Sequence, residues 1–98
     1  MVIVSKKYLK DFVLKHSQAA LALNYWYDIV SKADWRNFAD IKQSFNSVDF
    51  VGNDRYVFNI KGNDFRLIGM IFFNKRTVYI RFIGTHSEYD KLKDCSII

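Results

Sequence analysis

The sequence predicts an α+β domain, and three observations carry that prediction. Apolar residues in the first half recur at helical spacing, and from Val48 onward the period changes to two. Gly62-Asn63 and Asn74-Lys75 then have the chemistry of two-residue hairpin turns. The expected architecture is an N-terminal strand and a helical hairpin packed on one face of an antiparallel sheet, followed by a short C-terminal helical turn. The chain has 98 residues and no proline, repeat or Gly/Ser linker, so residues 1–98 are expected to form a single domain. Half of them are hydrophobic, which supplies a core without staples. Cys95 is the lone cysteine, which excludes an intramolecular disulfide and a cysteine-rich zinc site.

The elements follow in order. Val2-Ile3-Val4 is a β-branched run, and Ser5 stands where an N-cap opens a helix. Leu9, Phe12, Val13 and His16 keep helical spacing, with Lys6, Lys7, Lys10 and Lys15 outside. Ser17 is a second candidate cap, after which Ala19, Leu23, Trp26, Tyr27 and Val30 repeat the pattern. So short a link predicts an antiparallel pair of helices. Phe38, Ile41 and Phe45 predict one more short helix, capped by Asp34 or Asn37. Val48–Val51, Arg55–Lys61, Phe65–Phe73 and Thr77–Ile83 read as strands. Trp26 and Trp35 are expected as core anchors, and His16 as a packed side chain rather than a catalytic one.

The pleat separates packing from chemistry. With two-residue loops at both turns, Asn59 faces Arg66, Ile60 faces Phe65, Ile68 faces Arg81 and Leu67 faces Phe82. One face then collects Tyr56, Phe58, Ile60, Phe65, Leu67, Ile71, Val78, Ile80 and Phe82, which must lie under the helices. The other carries Asn59, Lys61, Arg66, Tyr79 and Arg81 among Val57, Ile68 and Met70. A three-residue loop at Asn74-Lys75-Arg76 would turn Arg81 into the core, where an unpaired guanidinium is prohibitive. In the chosen register Arg66 and Arg81 are diagonal neighbours, roughly 5–8 Å apart at the backbone. Such a pair repels unless an anion bridges it or carboxylates solvate it, and a phosphate is the anion that fits.

Charge points to the same half. Residues 1–54 carry seven basic and six acidic groups, whereas residues 55–98 carry eight and four. The net charge of +5 makes an acidic partner the expectation. No segment has a signal-peptide pattern, and no apolar run reaches the length of a membrane span, so the expected location is the cytoplasm. After the last strand, His86, Tyr89 and Asp90 fall at i, i+3 and i+4, one face of a turn that Thr85 or Ser87 can cap. Histidine changes charge near neutral pH, and tyrosine moves protons where its surroundings shift it. HExxH, Gly-rich phosphate loops and GxSxG are absent, so no metal site or cofactor is expected. Metal-independent RNA cleavage fits these groups: Arg66 and Arg81 for the phosphate, Lys61 for the strand path, His86 and Tyr89 for the two proton transfers. Which of the last two is acid and which base stays open.

Several blocks resemble a known family. Ala33-Asp34-Trp35, Phe38-Ala39-Asp40-Ile41-Lys42, Asp49-Phe50-Val51-Gly52-Asn53, Phe58-Asn59-Ile60 and Phe65-Arg66-Leu67 closely resemble HigB toxins. So does the most specific block, Arg81-Phe82-Ile83-Gly84-Thr85-His86-Ser87-Glu88-Tyr89-Asp90-Lys91. The resemblance runs from about Ile3 to Lys91 and implies a RelE-like fold, encoded with an antitoxin, usually HigA. It further implies cleavage of messenger RNA on the translating ribosome, without a metal, and growth arrest. Carried over by position, Arg66 and Arg81 match the strand arginines that contact the scissile phosphate. Tyr89 matches the C-terminal catalytic tyrosine, and His86 is a further candidate. Asn59, Lys61, Tyr79 and Lys91 complete the expected RNA-binding set. ParE-like members of the same superfamily poison DNA gyrase and cleave no RNA, which leaves a noncatalytic binding toxin as the alternative.

Overall fold

The computed structural model describes residues 1–98. Its strands are β1 (Val2–Val4), β2 (Asp49–Gly52), β3 (Arg55–Ile60), β4 (Phe65–Phe72) and β5 (Thr77–Thr85). They form one sheet in the order β1-β5-β4-β3-β2. Its helices are α1 (Lys6–Lys15), α2 (Ala20–Lys32), α3 (Phe38–Ser44) and α4 (His86–Asp90). The expected α+β layering holds, with one addition. β1 joins the edge of the meander in parallel with β5, pairing Val2 with Thr77 and Val4 with Tyr79, so the sheet is mixed.

Both turn dipeptides do what their chemistry predicts. Asp64 N donates to Lys61 O at 3.1 Å around Gly62-Asn63, and Arg76 N donates to Phe73 O at 3.1 Å around Asn74-Lys75. Gly62 takes the positive φ (63°) that glycine adopts freely. The first turn sets Asn59 opposite Arg66 and Ile60 opposite Phe65, as expected. The second sets Met70 opposite Tyr79 and Gly69 opposite Ile80, and then the register slips.

That slip is a bulge at Arg81. Ile68 pairs with Phe82 and Leu67 with Ile83, not with Arg81 and Phe82 as expected. The extra residue keeps Arg81 on the open face but exchanges its two successors. Ile83 enters the core, and Phe82 remains half-buried opposite Ile68. A Cβ on Gly84 would lie 2.5 Å from Phe82 Cζ, so only glycine leaves room for that ring. The expectation that Phe82 lies beneath the helices is therefore corrected. Phe58, Ile60, Leu67 and Ile80 are buried there as predicted.

The core gathers around Phe58. Trp26 meets its ring edge-on at 5.5 Å, Phe45 edge-on at 5.4 Å, and Trp35 stacks at 6.3 Å. α2 contributes Leu23, Trp26 and Val30, one apolar stripe at helical spacing. His16 packs as expected, stacked on Phe12 with centroids 4.5 Å apart. Two caps differ from expectation. Ser5 has a left-handed backbone (φ 77°) and makes no side-chain cap, because its conformation turns the chain from β1 into α1. Ser17 lies in a 3-10 turn, Ser17–Ala19, that runs into α2, again without a side-chain bond. Of the two candidates for α3, Asn37 is the cap, accepting from Asp40 N at 3.0 Å.

Candidate functional site

The helices cover one face of the sheet, and register assigns the other to Arg55, Val57 and Asn59 of β3, Arg66, Ile68 and Met70 of β4, and Tyr79 and Arg81 of β5. Arg66 and Arg81 thus share the open face. They do not share a partner. Arg66 Nη1 donates to the carbonyls of Asn63 (3.1 Å) and Phe65 (3.2 Å), and its guanidinium lies over the Tyr89 ring, 5.8 Å from the centroid. Arg81 Nε donates to the Ile98 carbonyl at 3.1 Å. The expected diagonal cradle is replaced by two separate guanidinium positions, because the bulge sets Arg66 opposite Gly84 and leaves Arg81 unpaired across the strands.

α4 is held in place by a capping box. Glu88 N donates to Thr85 Oγ1 at 3.2 Å, and Thr85 N donates to Glu88 Oε1 at 2.8 Å. These bonds, led by the one from the Thr85 backbone, hold the Glu88 carboxyl below its ordinary range. His86 N also donates to Asp64 O at 3.0 Å, tying the first residue of α4 to the β3–β4 turn. His86 and Tyr89 therefore sit on a positioned helical turn. Thr85→Ala is expected to remove about 1 kcal/mol of capping energy. In a domain of this size that lowers Tm by about 4–8 °C, a shift that calorimetry reads directly.

His86 Nδ1 lies 2.8 Å from Asp90 Oδ2, so the carboxylate orients the ring and leaves Nε2 free. The Tyr89 hydroxyl is pushed up to about 12, first by burial and then by a hydrogen bond to Cys95, with Arg66 opposing. At neutral pH it is a proton donor. Because the folded value stands above the ordinary 10.0, protonated Tyr89 contributes stability that is complete below pH 10.0 and is lost as pH rises through about 12. An ultraviolet titration should show one late tyrosine in the parent that is missing from Tyr89→Phe.

The remaining expected residues scatter around this centre. Asn59 is half-buried directly across from Arg66. Lys61 is exposed at the hairpin tip, 3.7 Å from Asp64. Lys91 is exposed at the end of α4. Tyr79 lies opposite Met70, toward the far end of β4 from Arg66, with its ring edge-on to Phe72 at 5.8 Å. No three His, Cys, Asp or Glu side chains converge as metal ligands, and no helix is long and apolar enough to cross a membrane. Sequence reasoning missed two neighbours: Cys95, which bonds Tyr89, and Arg55, whose Nε (3.1 Å) and Nη2 (2.9 Å) meet the same Ile98 carbonyl as Arg81. Only the basic first residue of β3 hinted at Arg55, since its partner lies 43 residues away.

Residues 19–92 match the family described as HigB_toxin, the RelE-like toxic component of a toxin–antitoxin system. The chain belongs to the HigB toxin family. It is 36% identical over 92 residues to the mRNA interferase toxin HigB of Escherichia coli (strain K12), covering 92% of this chain and 88% of that protein. The mRNA interferase HigB of Shigella flexneri gives the same figures. That of Escherichia coli O6:H1 is 31% identical over 94 residues, with 94% and 91% covered. Membership in the HigB family carries a toxin's role and an antitoxin partner. It also places β3–β5 and α4, with every arginine and proton carrier described above, inside the matched region.

Proposed function

We infer that this HigB-family chain is an endoribonuclease that cleaves messenger RNA, and that its open sheet face is where the RNA reacts. The observation that carries the reading is one cluster: Arg66 stacked over Tyr89, with Asp90 holding His86 on the same short helix. Cleavage at a ribose phosphate needs a base for the 2′-hydroxyl, charge stabilisation at phosphorus, and an acid for the departing 5′-oxygen. His86 Nε2 is the base, since Asp90 fixes the ring and balances the charge it gains. Tyr89 is the acid, since its hydroxyl keeps its proton far above neutral pH. Arg66 and Arg81 take the phosphate oxygens. Attack of the 2′-oxygen forms a 2′,3′-cyclic phosphate and frees a 5′-hydroxyl, so atoms and charge balance with no further reactant.

The relatives are mRNA interferases by name, and the basic open face suits RNA. Asn59, Lys61 and Lys91 flank the cluster along the strand path, and Tyr79 offers a ring farther along the face. The substrate is message engaged by the ribosome in the cytoplasm, and the silencing partner is a HigA-like antitoxin. In vitro translation followed by primer extension tests this. Codon-linked breaks ending in a 5′-hydroxyl are the expected result. Intact message beside inhibited DNA gyrase would instead establish a noncatalytic toxin.

A further inference from the structure

Arg55 and Arg81 converge on one oxygen although their strands are not neighbours. β4 runs between them, so their backbones stand about 10 Å apart across the sheet. Arg55 is the first residue of β3, opposite Met70, and the bulge turns Arg81 to the same side. The Ile98 carbonyl oxygen receives Arg55 Nε at 3.1 Å, Arg55 Nη2 at 2.9 Å and Arg81 Nε at 3.1 Å. Neither guanidinium pairs with an Asp or Glu side chain. Three donors from two cations therefore meet on a single carbonyl acceptor, where an anionic oxygen would bind more strongly.

The segment that supplies this carbonyl is lightly held. Residues Cys95–Ile97 form a 3-10 turn capped by Asp94, which accepts from Ser96 N at 2.9 Å and Ser96 Oγ at 2.6 Å. Asn53 Nδ2 donates to Ser96 O at 3.0 Å. No residue from 91 to 98 is buried, and the side chain of Ile97 is 70% exposed. The same segment sets Cys95 against the Tyr89 hydroxyl, so it covers both the guanidinium pair and the acid. The family match ends at residue 92, just before it.

We propose that Arg55 and Arg81 form a second phosphate subsite for RNA on the open face, and that residues 95–98 fill it as a strap which the incoming phosphate displaces. The proposal rests on the reading of that face as the RNA surface and adds Arg55 as a substrate-contacting residue. Arg55 is pre-aimed, because its Nη1 donates to Asn53 O at 2.9 Å and leaves the other edge of the fork for the ligand. Strap and phosphate compete for the same donors, so they exclude one another.

The test uses the full chain and a single-stranded RNA oligonucleotide whose 2′-O-methyl groups remove the attacking hydroxyl. Arg55→Ala is expected to weaken its binding about tenfold and to lower the slope of log K against log salt by about 1, as for one lost phosphate contact. Arg55→Lys should keep the slope but recover only part of the affinity, because the fork is gone. Lys10→Ala, on α1, should change the slope less. In the parent, oligonucleotide saturation should move the amide resonances of residues 95–98 to random-coil positions, with order parameters below about 0.6, while β3 to β5 stay rigid. If Arg55→Ala binds like the parent, or residues 95–98 stay ordered at saturation, the subsite is wrong even though the parent cleaves message. A parent that neither binds the oligonucleotide nor cleaves message overturns the subsite and the RNA reading together.

Discussion

Arg81→Ala is expected to slow message cleavage roughly 30- to 1,000-fold, the loss of about 2–4 kcal/mol of stabilisation for charge developing on the scissile phosphate. The size follows from how the side chain is placed. A bulge aims it onto the open face, and its one recorded hydrogen bond is to a carbonyl at the end of a lightly held segment. Nothing must reorganise when that oxygen is replaced by a phosphate oxygen. The same placement makes the variant a clean test. Arg81 is exposed and its removal strands no buried carboxylate, so stability should stay within about 0.5 kcal/mol of the parent. Arg81→Lys should recover part of the rate, because charge returns without the planar fork. A folded Arg81→Ala protein that cleaves ribosome-bound message at the parent rate would falsify its assignment.

Tyr89→Phe is expected to lower cleavage about 100-fold while leaving RNA affinity close to the parent's. The ring itself stays, so Arg66 keeps the aromatic face over which it lies. What disappears is a hydroxyl that burial and Cys95 keep protonated. The loss should therefore fall on the rate of a single turnover rather than on binding, and equally across the neutral pH range. His86→Gln, which can still meet Asp90 but cannot take a proton, should show a comparable loss. Melting curves taken alongside separate a chemical defect from an unfolded one. Equal rates for parent and Tyr89→Phe would remove the acid from this site and return the open face to a binding role.

Much of the fold was legible because local chemistry and long-range pattern agreed. Gly62-Asn63 and Asn74-Lys75 fixed two hairpins, and alternation then assigned Phe58, Ile60, Leu67 and Ile80 to the core. Alternation fails at Ile80-Arg81-Phe82-Ile83, where three apolar residues surround one cation and two pairings satisfy the pattern equally. Gly84 was the available signal, since a strand glycine often marks a bulge or a close ring. Of the candidate site, His86, Tyr89 and Asp90 were visible from spacing alone, as was the sharing of one face by Arg66 and Arg81. Arg55 and Cys95 were not. Their roles depend on a terminal segment crossing the sheet, and neither spacing nor propensity encodes where such a segment lies.

The parallel pairing of β1 with β5 sets a timetable for the molecule's own birth. Val2 leaves the ribosome early, but its partner Thr77 is made 75 residues later. Until then one flank of the Arg81-bearing strand has nothing to pair with, because the strand does not yet exist. Closing so long a loop is entropically late and kinetically slow. A nascent toxin is therefore inert for nearly the whole of its synthesis. The interval leaves an already folded antitoxin time to meet the chain before its reactive face is framed on both sides.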